Sequence, residues 1–237
     1  SSVAFPATPG AYDETYNFRS DAFVARFSAD GSALDFATYL GGDDIDIGYG
    51  LATNAAGQVV VVGETVSPDF PRTGGIAASD ESTAFIARFS ADGSALDYSF
   101  LVGGLNQDQP RAALLDDAGN AFVAGITASS NFPTTSGAFD RVYGGGGDAF
   151  LIGLGEGTLT FSTFIGGSGA ETADALAFAT EGRVLVAGTS SSVDFPVTNG
   201  AYDPTPNGFT DAYVAGISAD GSSVLAATFV GGINGEV

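Results

Sequence analysis

Apolar residues along the chain come in short β-branched or aromatic bursts separated by glycine-rich polar turns, a pattern of strands and not of helices. After Gly42 four such bursts follow in order: the small-residue stretch GYGLATN (48–54), then QVVVVGET (58–65), AFIARFS (84–90) and ALDYSFLV (95–102). The AAG and ADGS sequences between them have the composition of tight hairpin turns. No stretch carries a convincing helical period, so the chain is expected to be all-β.

The pattern then returns with a long period. Phe-Pro occurs at Phe5, Phe70, Phe132 and Phe195, at intervals of 65, 62 and 63 residues, and a double glycine recurs at Gly41-Gly42, Gly103-Gly104, Gly166-Gly167 and Gly231-Gly232. From the second glycine of the pair it is 15 residues to a turn glycine (Gly57, Gly119, Gly182), six more to Gly63, Gly125 or Gly188, and seven more to the next Phe. Three copies share this 28-residue stretch without an insertion; length varies only after Phe-Pro and in the hairpin LGEGTL. Four strands in 62 to 65 residues predict a β-propeller blade, longer than the roughly 40 to 50 residues of common blades because of the Phe-Pro segment. A solenoid coil would be shorter, and a sandwich would not repeat its sequence.

The stretch DAFVARFSADGSALDFATYLGG, followed by GYGLATNAAGQVVVVGETVSPDFP, resembles the SBBP repeat, a β-propeller repeat of bacterial proteins that are often secreted or surface-attached. The resemblance covers nearly the whole chain, with the ADGS turn, double glycine, AGN-type turn and DFP in order. GLNQDQPRAA departs from the usual acidic glycine-rich connection, and STAFIARF lacks the Asp that opens DAFVARF, DAFLIGL and DAYVAGI. The resemblance implies a propeller in an extracellular or cell-surface bacterial protein; it implies no defined biochemical activity.

If the small-residue strand lines a central channel and the next three step outward, residues 1–237 read as one propeller segment of about three and a half blades. A half-blade of two outer strands occupies 1–41, and blades occupy about 42–104, 105–167 and 168–232. Two such copies would not sum to a clean seven, since both half-blades offer outer strands. The expectation is a segment of a longer propeller or assembly, in which protein partners or neighbouring subunits complete the open half-blade. The phasing also puts the long Phe-Pro segments on one face together with the connections GGDDIDIGYG, GGLNQDQPRA and GGSGAETADA. Any binding site is expected on that long-loop face.

Charge narrows the partners. There are 28 acidic residues against seven Arg, a formal net charge of −21, which disfavours nucleic acid and anionic lipid and attracts cations or basic partners. Without Cys or His there is no disulfide, no thiol or imidazole metal site, and no Ser-His-Asp hydrolase within these residues. No apolar run approaches the roughly 20 residues of a membrane span, and SSVAFPATPG is not a signal peptide, so the chain is expected to be soluble, without membrane insertion, and a mature or excised piece.

Candidate chemistry is sparse. Asp43, Asp44 and Asp46 crowd one connection, which makes them a candidate calcium site as well as a solvated acidic loop; calcium is the one cofactor the sequence suggests. Asp21, Asp148 and Asp211 precede AF or AY and are expected to hold the long segments by accepting backbone N–H bonds. The four Phe-Pro rings are expected to wedge between neighbouring blades, since a residue present in every unit serves the packing shared by all; aromatic platforms for sugars are the alternative. YGGGGD (143–148) lacks the Lys-Ser/Thr and the helix of a phosphate loop. Ligand-facing candidates on the long loops are Tyr143, Phe139, Tyr202 and Phe209, with Tyr12 and Tyr16; their exposure would favour polysaccharide reading and their burial a scaffold. No carboxylate pair stands out for glycoside hydrolysis, so no enzyme is expected. The favoured function is a non-catalytic scaffold or interaction module of a secreted or surface protein, in a fibrous or surface assembly. The alternative is a carbohydrate- or calcium-binding module.

Overall fold

The computed structural model describes residues 5–77 and 82–232. They are all-β, apart from one 3₁₀ turn at Thr180–Gly182. The first sheet has two strands, β1 (Ala22–Phe27) and β2 (Leu34–Leu40). The second contains β3 (Asp46–Thr53), β4 (Val59–Thr65), β6 (Thr83–Phe89) and β7 (Leu96–Gly103), with β5 (Gly74–Ala77) added outside β7. The third contains β8 (Asp108–Leu115), β9 (Ala121–Thr127), β10 (Asp148–Gly155) and β11 (Thr158–Ile165). The fourth contains β12 (Ala175–Phe178), β13 (Val184–Ser190), β14 (Asp211–Ile217) and β15 (Val224–Val230). Each sheet is an antiparallel meander in chain order, except that β5 runs parallel to β7. The same bulge recurs in all four, at Arg26/Phe27, Arg88/Phe89, Gly153/Leu154 and Gly216/Ile217.

The ADGS sequences fold as their chemistry requires. Gly31, Gly93 and Gly221 adopt φ of 70°, 70° and 69°, open to glycine at little cost. Asp30, Asp92 and Asp220 each accept the hydroxyls of the flanking serines and one backbone N–H. These bonds hold all three carboxyls down at about 2.

The sheets stack face to face, and strand period two distributes side chains between consecutive layers. Val59 and Val61 of β4, with Phe85, Ala87 and Phe89 of β6, join Val24 and Phe36 of the first sheet. Val60, Val62, Ala84 and Ile86 point the other way, to Val123, Phe150, Ile152 and Leu154 of the third sheet. Ala149 and Leu151 then meet Val186, Tyr213 and Ile217 of the fourth. The run VVVV is apolar on both faces because both faces are covered.

Phe-Pro belongs to these layers. Phe70 stacks on Phe85 with centroids 4.7 Å apart and Phe132 on Phe150 at 4.7 Å, while Phe195 lies tilted against Tyr213 at 4.5 Å and Phe5 tilted against Phe23 at 4.6 Å. Phe70, Phe132 and Phe195 are buried in clusters drawn from two adjacent sheets. Each is thus a wedge, and burying one such ring stabilises by about 1.5–3 kcal/mol.

Two features differ from the sequence-based expectation. The long segments after Phe-Pro do not simply cap one face: they run along the outermost strands. Thr8 exchanges hydrogen bonds with Ala37, Thr73 with Ser99, Thr135 with Ser162, and Thr198 with Ala227. Further on, the backbones of Asp13, Asp140 and Asp203 accept from Tyr39, Phe164 and Phe229. The outer edge thereby finds partners for its backbone. In addition, Pro110 lies inside a strand, β8, where it is tolerated because β8 is an edge strand with a bulge between Pro110 and Ala112.

Candidate functional site

Where each double glycine turns back into the next sheet, a buried carboxylate four residues on from its second glycine closes the connection. Gly42 N–H donates to Asp46 Oδ2 at 2.8 Å, Gly104 N–H to Asp108 Oδ2 at 2.6 Å, and Gly167 N–H to Glu171 Oε2 at 2.9 Å. The hydroxyls of Ser67, Ser129 and Ser192, two residues past the second strand of the same sheet, donate to the same three carboxylates at 2.9, 3.1 and 2.5 Å. Thr127 and Ser190 add donors to Asp108 and Glu171 at 2.5 and 2.7 Å. Asp69, Asn131 and Asp194, each just before Phe-Pro, accept the N–H of Asp43, Leu105 and Ser168 at 2.9, 3.0 and 2.8 Å. One polar clasp therefore occurs three times, tying the connection that enters a sheet to the segment that leaves its second strand.

The glycines are needed for space. A Cβ on Gly41 would stand 2.7 Å from Asp46 Oδ2 and 2.8 Å from Asp21 Oδ1, and one on Gly166 would stand 2.6 Å from Glu171 Oε2. The double glycine of one sheet thus lies against two carboxylates: Asp21 with Asp46, and Asp148 with Glu171. Between the second and third sheets Thr83 takes the place of the first acid. Burial raises Asp21, Asp46 and Asp108 above the usual carboxylate range. Asp148 is pushed up to about 6, chiefly by burial, with Glu171 and Asp140 adding repulsion.

Asp21, Asp148 and Asp211 hold the long segments by accepting backbone N–H groups. Asn17 donates to Asp21 at 2.9 Å, Gly144 and Gly145 to Asp148 at 2.9 and 3.3 Å, and Asn207 to Asp211 at 2.6 Å. The GGGG run folds around the Asp148 carboxylate.

The calcium candidates do not act as one group. Asp44 pairs with Arg19 at 3.2 Å, Asp46 is buried in the clasp, and Asp43 is exposed. Among the described residues no set of three acidic side chains is arranged to hold a metal, and no helix is long and apolar enough to cross a membrane.

The aromatic candidates divide. Tyr143 is half-buried, edge-on to Phe164 at 6.0 Å. Phe139 is half-buried, and its N–H donates to Gly221 in the hairpin of the next sheet at 2.9 Å. Tyr12 repeats that bond to Gly93 at 2.9 Å and packs edge-on to Phe89. The Tyr12 and Tyr143 rings pack against buried clusters, and Phe139 is tied through its backbone to the next sheet. Tyr16 is half-buried beside Tyr39. Tyr202 and Phe209 are nearly fully exposed. A cavity of about 610 Å³ opens beside β1, lined by Phe5, Phe23, Asp21, Asp46, Tyr49 and Leu51 among others; among the described strands β1 pairs with β2 alone.

Sequence reasoning gave Asp108 and Glu171 no role, and it passed over Ser67, Ser129 and Ser192. The signal was present: an acid four residues after each double glycine, and [Thr/Ser]-x-Ser-x-[Asp/Asn]-Phe-Pro after each second strand. No protein-family model matches the chain, and a search of curated proteins returns no match.

Proposed function

We propose that this chain is an arc of a β-propeller of the SBBP type, serving as a non-catalytic scaffold and interaction module in a secreted or cell-surface bacterial protein. The observation that carries the reading is the use made of the carboxylates. Asp46, Asp108, Glu171, Asp148 and Asp211, all buried, accept hydrogen bonds from their own sheet connections. Such groups hold loops in place and present no open pair of acids to a substrate. Three clasps and three buried Phe-Pro wedges in equivalent positions serve a repeated architecture and not a single centre.

A second reading rests on Tyr202 and Phe209, whose exposed rings suit stacking on a sugar ring. Calorimetric titration with soluble polysaccharides and with calcium, combined with glycosidase assays, separates the two. The scaffold reading expects no turnover and no saturable heat. Saturable glycan binding that disappears in Tyr202→Ser with Phe209→Ser would replace it with the carbohydrate reading.

A further inference from the structure

We infer that the first strands of the second, third and fourth sheets together carry a binding site for a small neutral polyhydroxylated ligand, a mono- or disaccharide, formed by Tyr49, Glu64, Gln109, Arg111, Thr172 and Asp174. The site goes beyond the scaffold reading and is separate from the exposed rings of Tyr202 and Phe209.

A backbone irregularity that recurs in each sheet builds it. β3 slips by one residue against β4 between Gly48 and Gly50, and β8 slips against β9 between Pro110 and Ala112. The same slip separates the pairing Glu171↔Ser190 from Ala175↔Ala187 at the start of β12. A glycine on the second strand makes room each time: a Cβ on Gly63 would stand 2.0 Å from the Ile47 carbonyl oxygen, one on Gly125 2.1 Å from that of Gln109, and one on Gly188 1.9 Å from that of Thr172. The residue at the slip is Tyr49, Arg111 or Asp174, each seven residues past the second glycine of its pair. The third sheet, which holds Arg111, packs against a described sheet on either side. Its first strand also touches that of the second sheet, since a Cβ on Gly50 would meet the Arg111 carbonyl oxygen at 2.8 Å.

Chemistry sets this position apart from the rest of the repeat. The double glycine, the clasp acid and the Phe of Phe-Pro return from unit to unit because every unit packs alike, whereas the slipped position holds a phenol, a guanidinium and a carboxylate on one backbone. Shared packing does not demand that difference, and a bulge re-aims the side chain it carries. The side chains also connect across the sheets. Arg111 donates to Asp174 Oδ1 at 2.5 Å and through Nε to Gln109 Oε1 at 3.3 Å, and Thr172 donates to Asp174 Oδ2 at 2.5 Å. Tyr49 donates to Glu64 Oε1 at 2.6 Å. Its phenol is pushed up to about 12, first by burial and then by that bond, while Gln109 and the Arg111 charge act in the opposite direction.

The hydrogen-bonding capacity left over selects the ligand. Asp174 meets the Arg111 charge, and Tyr49 and Ser82 hold the Glu64 carboxylate, so an ionic ligand would have to break an existing pair. Arg111 Nη2 keeps its N–H donors, with no partner among the described residues, and the carboxylates keep lone pairs. Vicinal hydroxyls donate and accept at once, so a sugar adds to both without displacing either. The Arg111 and Asp174 side chains are 35% and 44% exposed, and Tyr49 at 39% leaves part of its ring for contact.

Calorimetric titration of the whole chain with glucose, galactose, mannose, N-acetylglucosamine, cellobiose and lactose tests this, with sodium acetate, glycine and guanidinium chloride as ionic probes. Expected are saturable heat with at least one sugar and none with the ions, binding about tenfold weaker or more in Arg111→Met, a smaller loss in Tyr49→Phe, and no change in Tyr202→Ser/Phe209→Ser. The inference is overturned if no sugar binds, if an ion binds in place of the sugars, or if sugar binding survives both Arg111→Met and Tyr49→Phe. Circular dichroism and melting identify a variant that fails to fold; Asp174→Asn, which keeps the shape of the side chain, then replaces Arg111→Met. Failure here leaves the scaffold reading standing, because that reading yields only to turnover or to glycan binding that disappears in Tyr202→Ser/Phe209→Ser.

Discussion

Replacing Asp148 by Asn should flatten the pH dependence of stability in one defined window. Asp148 is buried at the start of β10, its carboxyl is raised to about 6 from 3.8, and burial is the leading cause. A carboxylate whose folded pKa is raised stabilises the fold fully below about 3.8 and loses that contribution as pH rises through about 6. The difference of about two pH units corresponds to about 3 kcal/mol, or about 6–12 °C in Tm for a chain of this length. Asp21, Asp46 and Asp108 are raised in the same direction, so the unmodified protein should melt highest near pH 4 to 5 and progressively lower toward pH 7. Below that optimum the turn carboxyls act oppositely. Asp30, Asp92 and Asp220 stabilise above 3.8 and lose their contribution as pH falls toward about 2.

Asn keeps an oxygen for the Gly144 N–H and carries no charge, so Asp148→Asn should melt higher than the unmodified chain at pH 7 and match it near pH 4. Asp148→Ala, which removes the acceptor for Gly144 and Gly145, should be less stable at both. Thermal unfolding at constant ionic strength from pH 4 to 8 decides the matter. A melting temperature that rises from pH 4 to 7, or an Asn variant whose curve runs parallel to that of the unmodified chain, would refute the assignment of a buried, reluctantly ionised Asp148.

Phe132→Ala should cost about 3–5 kcal/mol, and because its ring lies between the second and third sheets, hydrogen exchange should accelerate in β8–β11 more than in β13–β15. Gly125→Ala should destabilise by about 1–3 kcal/mol in denaturant titration, since its Cβ would stand 2.1 Å from the Gln109 carbonyl oxygen. Arg88→Met should lower stability by about 1–3 kcal/mol, measured in the same way. The guanidinium is buried over the Tyr98 ring and joins Asp97 and Glu156 to the Gly119 carbonyl of the next sheet.

The sequence alone determined the strands, their grouping in fours and the packing role of Phe-Pro. Strand period and turn chemistry are local, and a residue repeated in every unit reports what every unit needs. QVVVVGET and AFIARFS became β4 and β6 within a residue or two. The double glycines were legible as landmarks but not as spaces for carboxylates. The clasp joins an acid to a serine 21 residues on, a contact that exists only once the strands between them have paired. Asp46 and Asp43 look alike in GGDDIDIG, yet one is buried and the other exposed, because only Asp46 meets the end of β4. Phe139 and Tyr202 sit in nearly identical sequences, yet the first is half-buried and the second nearly fully exposed. A residue's neighbours along the chain set its backbone, but whether its ring is covered depends on the sheet stacked in front of it, and for Tyr202 none of the described sheets is.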